Sequence, residues 1–133
     1  MTHLADGHHP SDDGIPRLRQ EILVQCVIET LRQRAAQQPE RVALVSGDRR
    51  VSYGEFWSQV AAAACYLSDC GVRPCDRVLL AAPSVPAFAY GYFATHLLGA
   101  VCVPIDPHAP ALRRDEIVRR TQPVLAFGVD ANA

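Results

Sequence analysis

The chain has 133 residues, 49% of them apolar, with 13 basic against 14 acidic side chains. That size fits one domain of ordinary dimensions with a single core. A net charge of −1 excludes the clustered basic surplus that a nucleic-acid footprint needs. Every basic side chain is arginine, and lysine is missing altogether.

Residues 1–20 read as a disordered leader, polar and carrying His3, His8, His9, Asp12 and Asp13 without the apolar h-region of a signal peptide. No spaced cysteine or acidic set completes a metal site around those histidines. Residues 21–133 are expected to form one α/β segment. Its first element is an amphipathic helix starting at Ile22, with Ile22, Leu23, Cys26, Val27, Thr30, Leu31 and Ala35 as the buried stripe and Pro39 bounding its end. The run Val42 to Val45 predicts a strand, Gly47 to Arg50 a turn, and Val51 the start of a return strand.

Ser52 and Glu55 have the spacing of a capping box. The helix behind them has a stripe of Phe56, Trp57, Val60, Ala61, Ala64 and Leu67, and Gly71 is placed to end it in a left-handed conformation, with Pro74 preventing continuation. Arg77 to Ala82 predicts a strand buried on both faces, as in a parallel sheet. A helix from Val85 to Leu98 follows, with Ser84 as a cap and Pro86 in the first turn; it is apolar on nearly every side and so calls for cover on several. Gly99 ends that helix, Ala100 to Val103 is a further buried strand, and Ile105 to Pro110 is a loop. A polar helix over Ala111 to Thr121 and a strand from Pro123 to Phe127 complete the pattern. Alternating strands and helices imply an α/β fold with a mainly parallel sheet flanked by helices and right-handed crossovers.

No phosphate-binding glycine motif and no nucleophile elbow is present. Cys26, Cys65, Cys70, Cys75 and Cys102 are odd in number and lack C-x-x-C spacing, which points to free thiols in a reducing cytosol. His96 sits in an apolar helix and His108 in a loop, neither with a readable catalytic partner, so both read as structural or solvent-facing. The apolar stretch Val78 to Pro104 is interrupted by Pro83, Pro86 and Gly99, which excludes a membrane span. With no signal peptide either, the expected location is cytoplasmic.

Four motifs in order carry a family likeness. They are Val51-Ser52-Tyr53-Gly54-Glu55-Phe56, then Gly71-Val72-Arg73-Pro74-Cys75-Asp76-Arg77-Val78, then Pro83-Ser84-Val85-Pro86-Ala87-Phe88, and Gly99-Ala100-Val101-Cys102-Val103-Pro104-Ile105-Asp106-Pro107. Together they resemble the opening of the adenylate-forming (AMP-binding) superfamily, which includes acyl-CoA synthetases and peptide-synthetase adenylation domains. The resemblance covers about residues 25–130. It departs at Cys75, where the family usually has glycine; a cysteine there is strained if the position needs φ above zero.

The resemblance implies the first part of the large N-terminal domain of an AMP-dependent synthetase or ligase. Such an enzyme joins a carboxylate to the α-phosphate of ATP with Mg²⁺, then passes the acyl group to coenzyme A or a carrier pantetheine. The family's phosphate loop, metal-binding glutamate motif, ribose-binding aspartate motif and catalytic lysine have no counterpart here. No catalytic, cofactor-binding or metal residue is therefore assigned, and the chain alone is expected to be inactive: a fragment, a degenerate gene or half of a split enzyme with a complementary chain. Few elements remain to cover the Val85–Leu98 helix, so marginal stability or pairing with another chain is expected. Two alternatives stay open: a non-catalytic interaction or regulatory module derived from such an enzyme, and an unrelated doubly wound domain binding a small ligand at its strand ends.

Overall fold

A computed structural model describes residues 27–83 and 85–128. The first described element, α1, spans residues 27–37. It is followed by β1 (Val42–Ser46), β2 (Arg49–Ser52), α2 (Tyr53–Asp69), β3 (Arg77–Leu80), α3 (Val85–Leu97), β4 (Val101–Pro104), α4 (Ala111–Thr121) and β5 (Leu125–Phe127). β1 and β2 form an antiparallel hairpin, and the parallel sheet has the order β4-β3-β5. The α/β expectation holds. The leader, together with Ile22, Leu23, Cys26 and the Ser84 cap, lies outside the described residues.

The hairpin turn is tighter than the sequence implies. Ser46 pairs with Arg49, so only Gly47 and Asp48 turn, and Arg49 and Arg50 belong to the strand. Gly47 has φ 59°, the sign that a two-residue turn matching strand twist requires. In α1 the expected stripe shrinks. Leu31 is buried, Ala35 is half-buried, and Val27 and Thr30 are exposed. A helix lying on the rest of the domain by one narrow line covers only the residues along that line.

α2 starts where its chemistry dictates. The Ser52 hydroxyl accepts from the Glu55 backbone N–H at 3.2 Å, capping one orphan donor. Glu55 turns instead to Arg49, whose Nη2 donates to its carboxylate at 3.1 Å. Phe56, Val60, Ala64 and Leu67 are buried as the stripe predicted, while Trp57 and Ala61 are half-buried. Gly71, with φ 90°, donates to the Ser68 carbonyl, and Val72 donates to that of Leu67. This is a Schellman ending, and its apolar contact partners, Leu67 and Val72, are both buried. Thr95 to Ala100 repeat the arrangement at the end of α3: Gly99, with φ 70°, donates to the His96 carbonyl and Ala100 to that of Thr95.

Between α2 and β3 the Asp76 N–H donates to the Arg73 carbonyl at 3.1 Å. Pro74 and Cys75 are the central residues, and Cys75 has φ 70°. Proline followed by a positive-φ residue is the type II pattern, whose second central position favours glycine. The departure noted at Cys75 is thus a left-handed cysteine. Its side chain is exposed, so Cys75→Gly removes strain and loses little packing. The variant is expected to be more stable by about 0.5–1 kcal/mol, read as a higher urea midpoint with unchanged slope.

β3 is the central strand, and its side chains alternate between two faces. Val78 joins the larger core cluster with Val51, Phe56, Val60, Leu67 and Ala94. Leu79 joins a smaller one with Ala81 and Ile105, against which Ile117 of α4 packs. The strand stops at Leu80 rather than Ala82, although Ala81 and Ala82 are still buried. β4 is not the buried strand expected: it is an edge, and Val101 is 48% exposed. α3 is covered on one side only. Pro86, Gly91, Ala94 and Thr95 are buried, whereas Val85, Tyr92 and Leu97 are exposed, because none of the described elements lies over its outer side.

Candidate functional site

Parallel strands place their C-terminal ends on one edge of the sheet, the usual ligand edge of an open α/β fold. Here that edge is made by Ala81 to Pro83 after β3, the Ile105–Pro110 loop after β4, and Gly128 after β5. The loops are tied to the strands by backbone bonds, Ile105 donating to Leu80 at 2.9 Å and Ala81 to Phe127 at 3.0 Å. Gly128, with φ 78°, runs so close to Ala82 that a Cβ would lie 2.9 Å from its Cα. Backbone against backbone closes this part of the edge.

Among the described residues, the polar side chains at the edge are Asp106 and His108. The Asp106 carboxylate accepts from the His108 backbone N–H at 2.8 Å, shaping its own turn. Both residues are exposed. His96 lies far from them in the topology, at the C-terminal end of α3 and so beside the start of β4. It is half-buried, its Nε2 has no hydrogen-bond partner among the described residues, and burial holds its pKa below the ordinary value. The two histidines therefore do not converge.

Cys65, Cys70, Cys75 and Cys102 are free thiols. Burial pushes the Cys102 thiol up from 9.0 to about 11, which makes it a poor nucleophile at neutral pH. A raised folded pKa means that the folded state holds the proton more tightly. Its contribution to stability is complete below about pH 9 and is lost as pH rises through about 11. The stability advantage of the wild type over Cys102→Ala is expected to shrink across that window in urea titrations at stepped pH.

Among the described residues no group of three or more His, Cys, Asp or Glu side chains could hold a metal ion. The chain has no lysine. What these elements do is position: α2, α3 and the hairpin brace β3, and β3 sets the register of β4 and β5. Arg77 extends the bracing, its Nε donating to the Thr121 carbonyl at the end of α4 while its own carbonyl accepts from Val124 at 2.8 Å.

Fold and motif order together define the opening segment of an α/β adenylating domain. Residues 31–133 match the family described as AMP-binding enzyme, and the chain belongs to that family. It is 33% identical over 96 residues to nonribosomal peptide synthetase 8 of Aspergillus fumigatus, covering 72% of this chain and 1% of that one. It is 36% identical over 94 residues to malpibaldin synthetase of Mortierella alpina, covering 71% and 2%. The chain thus spans only a small fraction of the curated relatives it matches. Among solved structures, the NpsA N-terminal subdomain of Klebsiella oxytoca superposes with TM-score 0.72 at 23% identity, over 80% of this chain and 28% of that one. A further structure of that subdomain is in complex with anthranilyl-AMSN. No described helix is long and apolar enough to cross a membrane.

Proposed function

We propose that this chain is the N-terminal scaffold of a ligase that activates a carboxylic acid as its acyl-adenylate with ATP and hands the acyl group to a thiol, and that these 133 residues alone do not catalyse the reaction. The observation that carries the reading is the coincidence of three of the four ordered motifs with the cap, the two helix ends, the turn and the strands that set the register of the sheet. The motifs beginning at Val51, Gly71 and Gly99 each have a backbone or capping role, which is what a scaffold segment requires. Charge stabilisation at an adenylating site is worth several kcal/mol per group, and the lysine and phosphate loop that would supply it have no counterpart in this sequence. A relative named as a nonribosomal peptide synthetase favours an amino acid as the acid and a carrier pantetheine as the thiol, with coenzyme A as the other acceptor in the family.

The outer side of α3 is the surface on which the remaining part of such a ligase docks, whether continuous with this chain or supplied as a complementary one. Phe88 stacks on Tyr92 with ring centroids 6.0 Å apart, and Tyr92 meets His96 edge-on at 4.5 Å. The helix carries no Asp, Glu, Lys or Arg, so it presents an aromatic ladder where a finished surface would present charge.

Two measurements test the reading. ATP–pyrophosphate exchange by the chain alone is expected to equal a buffer control; exchange clearly above it overturns the proposal. Residues 31–128, grafted in place of the matching segment of the NpsA subdomain, are expected to give a folded hybrid that still binds anthranilyl-AMSN by calorimetry. A folded hybrid that binds nothing overturns the scaffold role.

A further inference from the structure

We draw no further inference here: the strongest candidate, the aromatic ladder of half-buried Phe88, exposed Tyr92 and half-buried His96 on α3, belongs to the docking surface already described, and nothing in the structure shows a second occupant for it.

Discussion

Leu80→Ala is expected to cost about 2–5 kcal/mol of folding stability, the range for truncating a buried leucine. Leu80 has no solvent exposure and closes the central strand, paired on one side with Pro104 and on the other with Phe127. It also meets α3 at Gly91, where an added Cβ would sit 2.7 Å from its Cδ1. Truncation therefore opens a void among three elements that are held by the strand itself and cannot readily collapse. Domains of this size have total stabilities of about 5–15 kcal/mol, so the loss removes a large share. Urea unfolding followed by circular dichroism measures it. Leu79→Ala is the comparison, since Leu79 faces the smaller cluster and should cost less. Equal costs, or a loss below about 1 kcal/mol for Leu80→Ala, would show that the core does not centre on the α3 face of this strand.

Gly91→Ala tests the same contact from the other side. The new methyl would lie 2.7 Å from Leu80 Cδ1 and 2.8 Å from the Phe127 ring. Overpacking of this kind costs about 1–3 kcal/mol, while replacing glycine inside a helix returns about 1 kcal/mol of propensity. The net expectation is a loss of about 0–2 kcal/mol, with Gly91→Val worse because a branched Cβ has still less room. In the double variant with Leu80→Ala the methyl enters the space that the leucine vacates. The combined cost is expected to fall short of the sum by about 0.5–3 kcal/mol, the range for residues in contact. Strict additivity would mean that α3 does not seat on β3 through this glycine.

These contacts show how far one sequence can be read. Local instructions are legible because they act over three to five residues: Ser52 with the Glu55 N–H, Gly71 and Gly99 at helix ends, Pro74 before a positive-φ position. The helices α2, α3 and α4 fall within a residue or so of the bounds their patterns predict. Motif order was enough to point to the family, because the motifs record backbone constraints that a scaffold must satisfy wherever it occurs.

Long-range placement was not legible. Val101 and Leu79 look equally suited to a buried strand, yet Val101 is an edge residue and Leu79 is in the core. Strand order depends on which crossovers lie beside which, and no local pattern encodes that. For the same reason α3 reads as buried all round from its composition, while the fold leaves Tyr92 and Val85 facing outward. Gly91 carries no helix-end signal; only the approach of Leu80 and Phe127 explains it. The sequence by itself determined the elements, their caps and the family, because propensity and capping are short-range interactions. The tertiary structure alone decided which apolar side chains are core and which form a surface, because burial is a property of what packs against a residue.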